Sequence, residues 1–222
     1  MGRDALNLTM AREMRRGRRS EVCFKGLAER RGYTVIETSA ASNMNEHIDF
    51  ILDRDDEPDK IAIDVKARKK PSRSSDNYDD ANVWIEFQNV QGKLGWLYGK
   101  ADKIAFERAF DFVLVDRESL KDYCEASVVP LFVSSPFEAI YKCIQRKGRR
   151  DVISRVPMKD ILLCANCHRI EHADPNSKFN KKIVDKVTEK SIIDISDNID
   201  KGVTSMIVRG KAQWAHVFEP NE

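Results

Sequence analysis

The segment Lys60-Ile-Ala-Ile-Asp-Val-Lys-Ala-Arg68 decides how the rest of this chain is interpreted. Apolar and polar side chains alternate along it, which predicts a short β-strand with one apolar and one polar face. The polar face carries Asp64 and Lys66, one pleat apart. A carboxylate suits a hard cation such as Mg²⁺, and an adjacent ammonium suits a negatively charged oxygen. Taken alone, an Asp-x-Lys pair is more often an ordinary solvent-facing strand surface.

The composition is that of a globular protein with one sizeable core and a small appendage. The 222 residues are 41% hydrophobic and 33% charged, and no apolar run is long enough to span a membrane. The first residues lack the apolar core of a signal peptide, so a cytosolic protein is expected. Five cysteines, an odd number, argue against a disulfide framework and leave free thiols or a metal site.

Positive charge is concentrated in clusters, although the net charge is only +2. The arginine-rich residues 1–18 are interpreted as a basic N-terminal arm, either a frayed helix or a disordered segment. A second cluster follows the central strand: Arg68, Lys69, Lys70 and Arg73. Separated basic clusters suit a polyphosphate partner, and each one alone is equally compatible with a solvated surface.

The strand before the central one carries a second acidic residue. Residues 47–53 alternate as a strand, and the acidic residues 55–59 form a turn by composition. Two strands joined by a short turn predict a hairpin. Asp49 is then expected beside Asp64 on the same face of the sheet.

A helix is predicted over residues 20–31, with Ser20 as its N-cap and Gly32 as its stop. Glu21 either points inward near the start of this helix or is an ordinary first-turn acid favoured by the helix dipole. A strand over 33–38 and a polar loop over 39–46 complete the first part of the chain.

Further strands are predicted after the basic segment. Residues 82–90 alternate, with Gln88 on the face opposite Phe87, and residues 101–107 and 110–116 predict another hairpin. The glycine-punctuated loop between them does not have the spacing of a phosphate-binding fingerprint. Its Trp96 and Tyr98 either stack on exposed bases or close the core.

This order of elements and acidic residues resembles the PD-(D/E)xK superfamily, the restriction-endonuclease-like nucleases. The resemblance covers residues 19–163. It is closest in spacing to the Holliday-junction-resolvase-like branch, with its glutamate on the first helix, an aspartate, and then an acidic-x-Lys strand. Ile48 stands where the family's usual proline precedes the first aspartate. The resemblance implies an α/β fold, with a central mixed β-sheet flanked by helices.

The resemblance also assigns roles to the acidic residues and the lysine. Asp49 and Asp64 would bind Mg²⁺ or Mn²⁺, with Glu21 completing the metal site or orienting a water. Lys66 would hold the attacking water or the developing charge, and Gln88 would orient the scissile phosphate or a water.

Outside that set, the resemblance implies that DNA lies along the basic segment from Arg68 to Arg73. His47, two residues before Asp49, is either a helper at the same site or an ordinary histidine near the end of a loop.

A second local resemblance appears near residue 163. Leu163-Cys-Ala-Asn-Cys-His-Arg-Ile-Glu-His172 is similar to the second half of a zinc-stapled HNH nuclease motif, but the first half of that motif is missing. Cys164, Cys167 and His172 would supply three zinc ligands, with His168 or His216 as a fourth. The segment is interpreted either as a structural zinc clip or as a remnant without metal.

The resulting expectation is a Mg²⁺-dependent DNA endonuclease of the cytoplasm of a prokaryotic or phage-infected cell. Its organisation would be a basic arm (1–18), a nuclease-like core (19–163) and a C-terminal Cys/His segment with a hairpin (164–222). Branched or junction DNA is the first expected substrate. A site-specific homing or restriction-type endonuclease and a non-catalytic DNA-binding protein of the same fold are the alternatives. A homodimer is expected, because two-strand cutting favours two-fold symmetry.

Overall fold

The chain folds as an α/β protein in which a mixed β-sheet is flanked by helices. This computed structural model describes residues 3–72 and 74–171. The helices and strands follow one another in this order: α1 (Arg3–Glu29), β1 (Thr34–Glu37), α2 (Ala40–Glu46), β2 (Phe50–Asp53), β3 (Ile61–Lys66), β4 (Asn82–Gln88), β5 (Lys103–Glu107), β6 (Asp111–Asp116), α3 (Arg117–Ser127), β7 (Val129–Phe132), β8 (Lys142–Ile144), β9 (Val152–Pro157), α4 (Met158–Cys164) and β10 (Cys167–Glu171).

The central sheet has six strands in the order β1-β2-β3-β5-β6-β10. Strands β2 and β3 form the predicted antiparallel hairpin, with Phe50 opposite Ile63. Strand β3 pairs in parallel with β5 on its other edge, with Asp64 opposite Ile104. Strand β3 is therefore an interior strand, and four consecutive residues of it, 62–65, are buried. Such a strand has no solvent-facing side, so a charged residue on it needs a partner.

Strand β4 does not continue the central sheet. It pairs antiparallel with β9 and starts a second sheet of order β4-β9-β8-β7. The pairing has a register shift between Glu86 and Gln88, the irregularity of a β-bulge. A core that contains Ile85, Phe87 and Ile104, all 0% exposed, joins the second sheet to the central one.

The first helix is longer than the sequence predicted. Helix α1 runs unbroken from Arg3 to Glu29, so Ser20 is not its N-cap but an interior residue only 1% exposed. Phe24 anchors the helix to the central sheet, with its ring 6.2 Å from that of Phe50 and 5.3 Å from that of Phe112. The basic segment from residue 3 to 18 is thus the N-terminal part of a helix that packs on the sheet, and a disordered arm is the wrong alternative.

The central sheet extends past residue 163. Strand β10 pairs antiparallel with β6, with Cys167 opposite Val115, so the first part of the predicted appendage completes one edge of this sheet. Arg73 and residues 172–222, including His172, His216 and the predicted final hairpin, lie outside the described residues. None of the described helices combines the length and apolar character needed to cross a bilayer.

Candidate active site

Asp64 and Lys66 form an ion pair on the interior strand β3. Asp64 is 3% exposed, and Lys66 Nζ lies 2.7 Å from its Oδ1 and 2.6 Å from its Oδ2. Only the contact with Oδ1 has the geometry of a hydrogen bond, so Oδ2 is a buried oxygen that belongs to the ion pair but accepts no hydrogen bond from the described residues. Burial raises the pKa of Asp64, and the charge of Lys66 opposes that rise.

Lys66 is held from its other side by an aromatic ring. Its Nζ lies 5.1 Å from the ring centre of Trp96, within the range of a cation–π contact. Trp96 is 7% exposed and belongs to the core, which settles its two sequence interpretations in favour of packing. The ammonium thus has a fixed position between a carboxylate and an indole.

Asp49 lies beside Asp64, as the hairpin predicted. Its Oδ2 accepts a hydrogen bond of 2.7 Å from the backbone N–H of Val65, and its Oδ1 accepts one from the Asn43 amide. Its backbone N–H donates to the Ile63 carbonyl at 2.8 Å, which fixes the residue against β3. Burial, and then the charge of Asp64, raises the pKa of Asp49 to about 6. Two carboxyl groups this close oppose each other's ionisation in the way that shared-proton pairs do.

The short helix α2 lies next to Asp49, where the sequence had predicted a loop. Residues 39–46 were predicted as a loop, but Ser39 caps α2 by accepting a hydrogen bond from the Ser42 N–H at 3.1 Å. The helix ends at His47, which has a left-handed backbone with φ of 56°. Burial, and then the charge of Lys66, lowers the pKa of His47. His47 is therefore close enough to the acidic pair for the charges of Lys66 and Asp49 to act on it, and its surroundings favour the neutral ring.

Glu86 on β4 is close enough to the acidic pair for its charge to act there. That charge acts on Asp64, His47 and Lys69. The Gln88 amide donates a hydrogen bond of 2.5 Å to the Arg150 carbonyl, so in this structure it is engaged away from the acidic pair, and its role in the site stays a prediction. The bulge between Glu86 and Gln88 separates the two side chains that strict alternation puts on one face. The signal for Glu86 was present, since it shares that predicted face and is a charged acid.

Two glycines let the loop after β4 pack tightly against the site. A Cβ on Gly95 would overlap the backbone carbonyl of Glu86, and one on Gly99 would lie 2.8 Å from the His47 Cβ. The Gly95 N–H also donates to the Phe87 carbonyl at 2.8 Å. The glycine spacing noted in the sequence therefore serves close backbone packing beside Glu86 and His47.

Glu21 lies near the acidic pair without joining it. It lines a cavity of about 440 Å³ together with Asp49 and Asn43. Its carboxylate is 3.1 Å from Arg18 Nη1, one turn earlier on α1. Across the described residues, no group of three or more His, Cys, Asp or Glu side chains has the spacing of a metal site. Glu21 is thus placed at the entrance, and Asp49 and Asp64 form the inner pair.

No protein-family model matches this chain, and no curated protein or solved structure is significantly similar to it. The site therefore has to be interpreted from its own geometry.

The predicted DNA-contacting residues differ in their exposure and in how far other residues balance their charge. Arg68 makes two hydrogen bonds to Asp80, at 2.7 and 2.8 Å, and its guanidinium lies 4.8 Å from the Tyr78 ring centre. Its charge is thus largely balanced within the protein. Lys69 is exposed, and Lys70 is half-buried with its carbonyl accepting a hydrogen bond from Trp84. Arg73 lies outside the described residues.

The predicted zinc ligands are only partly described. Cys167 is a half-buried free thiol whose Sγ is 3.9 Å from the Leu162 carbonyl, and burial raises its pKa. His168 is exposed on the edge strand β10. The Cys164 side chain and His172 lie outside the described part of the chain, so the zinc clip stays a prediction.

The residues at the centre of the site fit a hard divalent cation. Asp64 presents a buried oxygen that lacks a hydrogen-bond partner, and Asp49 is a second carboxyl whose ionisation is opposed by its surroundings. A cation beside both groups would remove that opposition. Mg²⁺ is commonly bound by one or two carboxylates while it keeps several waters, so two inner acids suffice.

Proposed function

We propose that this protein is a Mg²⁺-dependent DNA endonuclease with a restriction-endonuclease-like core. The observation that supports this most is the pairing of a buried Asp64 with Lys66 directly beside Asp49, whose pKa is raised to about 6. A purely structural ion pair needs one acid and one base. A second, half-buried acid at the same place destabilises the folded protein, and functional sites are where such arrangements are concentrated.

Each residue would have a distinct part in hydrolysis. Asp49 and Asp64 would hold Mg²⁺, or Mn²⁺ in its place. When bound, the metal would lower the pKa of a coordinated water and neutralise charge on the phosphate. Lys66, held by the Asp64 carboxylate and the Trp96 ring, would donate hydrogen bonds to the attacked phosphate oxygens as their charge grows.

Glu86 and His47 would act around this centre. Glu86 has the charge and position to orient a water or to keep Lys69 near the phosphate. A neutral His47 accepts or donates a hydrogen bond without adding positive charge. The Glu21 side of the cavity would admit the substrate. The cytoplasm, with its millimolar Mg²⁺ and reducing conditions, is the proposed location.

DNA is the proposed substrate because helix α1 carries a cluster of arginines, one of which reaches the site. Arg18 lines the same cavity as Asp49, and Arg15, Arg16 and Arg19 lie within one turn of it on the helix. Positive charge beside an acidic metal site attracts a polyphosphate chain and leaves the acids to the metal. Junction-like DNA cut by a homodimer remains the first choice, and a site-specific endonuclease is the alternative.

Cleavage assays with paired variants test the proposal. Labelled duplex, single-stranded and four-way-junction DNA are incubated with Mg²⁺, Mn²⁺ or EDTA. Lys66→Ala and Asp64→Asn should each lose about 100-fold or more in rate, the scale of removing one group that stabilises transition-state charge. Lys60→Ala is the matched control, since Lys60 lies on the same hairpin and pairs with Asp53 at the surface.

DNA binding in EDTA separates the alternatives. Lys66→Ala should bind within a few-fold of the wild type, because one phosphate contact contributes little to total affinity. A wild type that binds DNA but cuts none of these substrates with either metal would favour the non-catalytic DNA-binding protein. A wild type that neither binds nor cuts would remove both.

A further inference from the structure

A second cavity of about 380 Å³ lies away from the acidic pair. Its walls come from the segment after β3, which contributes Asn77, Tyr78 and Asp79, and from the second sheet, which contributes Phe137 and Arg155. This volume lies in the range of small-molecule sites, about 300–1,000 Å³. The nuclease chemistry described above does not use any of these residues.

Arg155 is a buried polar residue with an unused donor. It is 5% exposed, its Nη1 donates to the Pro136 carbonyl at 3.1 Å, and its Nη2 pairs with Asp79. Its Nε has no hydrogen-bond partner among the described residues. This Nε is itself covered by protein, so Arg155 forms a fixed, positively charged wall of the cavity through its bonds to Pro136 and Asp79.

The aromatic side chains of the cavity are open to solvent. Tyr78 is 43% exposed and Phe137 is 59% exposed, so neither ring is needed to close the core. Exposed aromatic faces that line a cavity are suited to stacking against a flat ligand. Asn77 adds an exposed amide, which both donates and accepts hydrogen bonds.

The charges of the cavity favour a neutral ligand inside it. Asp76 and Asp79 line the cavity and would repel a phosphate. The cations are on the Tyr78 side, where the guanidinium carbons of Arg68 and Arg16 lie 4.8 and 5.9 Å from its ring centre. A ligand with a flat neutral part and a charged chain beside it would match this distribution.

We infer that this cavity binds one unpaired nucleobase of the DNA substrate. The base would stack on Tyr78 or Phe137 and exchange hydrogen bonds with the exposed Asn77 amide, while the sugar-phosphate chain follows the arginines beside Tyr78. This inference rests on the proposed nuclease function. It makes that function more specific, because only single-stranded, branched or locally opened DNA presents an unpaired base.

The chain connects this cavity to the active site. The segment that lines it leaves β3 directly after Lys66, and the Asp79 N–H donates to the Lys69 carbonyl at 2.9 Å. Lys69 in turn is close enough to Lys66 and Glu86 for their charges to act on it. A base bound in the cavity would thus hold in place the chain segment that leaves β3 directly after Lys66.

Binding of single strands with and without bases tests the inference. Labelled oligonucleotides of about 12 nucleotides, made of adenine, cytosine or thymine only, are compared with an abasic chain of equal phosphate number. Fluorescence anisotropy is measured in EDTA at one fixed salt concentration. The wild type should prefer at least one base-bearing strand over the abasic chain by about 5- to 150-fold, the scale of one stacked base.

Two variants and one control test whether the preference for base-bearing strands comes from this cavity. Phe137→Ala and Tyr78→Ala should lose most of it, and Phe110→Ala should keep it, since Phe110 is also exposed but lies in the β5–β6 turn outside the cavity. Unfolding curves of the variants should match the wild type, because the replaced rings are exposed.

Each contrary result has its own meaning. Equal binding of base-bearing and abasic strands by the wild type would overturn the base-binding cavity and leave DNA binding intact. Retention of the preference by both cavity variants, or its loss in the Phe110→Ala control, would also overturn it. Failure of the wild type to bind any single strand would overturn this inference, while the duplex and junction assays would still decide the proposed function.

Discussion

Replacing Asp49 by asparagine should stabilise the metal-free protein above about pH 6 and, at the same time, abolish cleavage. The pKa of Asp49 is raised from the ordinary 3.8 to about 6, first by burial and then by Asp64. The folded protein therefore holds this proton to a higher pH than the unfolded chain. As the pH rises from about 4 to about 6, the folded carboxyl is forced to ionise and the wild type loses stability.

The size of the effect follows from the change in pKa. A difference of about 2 in pKa corresponds to about 3 kcal/mol, at about 1.4 kcal/mol per pKa unit. Asparagine cannot ionise, so the variant avoids this loss. Its amide keeps an oxygen for the Val65 N–H, which Asp49 binds at 2.7 Å, and places an N–H where Oδ1 accepts from the Asn43 amide. Asn43 can keep that hydrogen bond by turning its amide over, so that its own oxygen accepts. The replacement thus leaves most of the local hydrogen bonds in place.

Urea unfolding in EDTA between about pH 4 and pH 8 measures the difference. Relative to the wild type, Asp49→Asn should gain about 2–3 kcal/mol across this range, while its cleavage with Mg²⁺ falls to background. Asp55→Asn, an exposed acid in the β2–β3 turn, is the control and should follow the wild type. Parallel curves for Asp49→Asn and the wild type would refute the argument about the buried acidic pair.

Three further changes test other parts of the structure. Gly95→Ala should destabilise the protein by about 1–3 kcal/mol, because the added Cβ overlaps the Glu86 carbonyl. Gly26→Ala is the control and should stabilise the protein by about 0.5–1 kcal/mol, because its Cβ meets only a flexible side chain on α1. Equal denaturant midpoints for the two variants would contradict the close packing of Gly95 against Glu86. Glu86→Gln should slow cleavage by about 100-fold, and Gln88→Ala should slow it only slightly. If kinetic assays gave the reverse order, Gln88 rather than Glu86 would act in the site. Elemental analysis should find one zinc per chain if Cys164 belongs to a clip, and its absence would identify the segment as a remnant.

Local sequence patterns were sufficient for the strand β3 and its hairpin. Alternation and an acidic turn predicted that Asp49 and Asp64 are neighbours, because a hairpin is a contact between residues close in the chain. The β5–β6 hairpin was predicted for the same reason, and the structure confirms both pairings. Asp49 and Asp64, which these patterns placed together, are neighbours in the structure.

The errors have two physical causes. Strand β4 pairs with β9, about 70 residues further on, so no local pattern could place it in the second sheet. The bulge at Glu86 then interrupts the strict alternation predicted for this strand. Ser20 has the chemistry of an N-cap, but helix α1 continues through it, and Ser20 is 1% exposed in the interior of the helix. Capping preference is a weak signal beside tertiary packing.

The division of the site between two sheets bears on when the protein acquires activity during its synthesis. Asp49, Asp64 and Lys66 leave the ribosome early, but the strand that holds Glu86 finds its partner only when residues 152–157 have emerged. Parallel pairing of β3 with β5 likewise has to wait for residue 107. A partly synthesised chain would therefore carry the acidic pair without the support of β4, and the candidate site would be complete only after both sheets have formed.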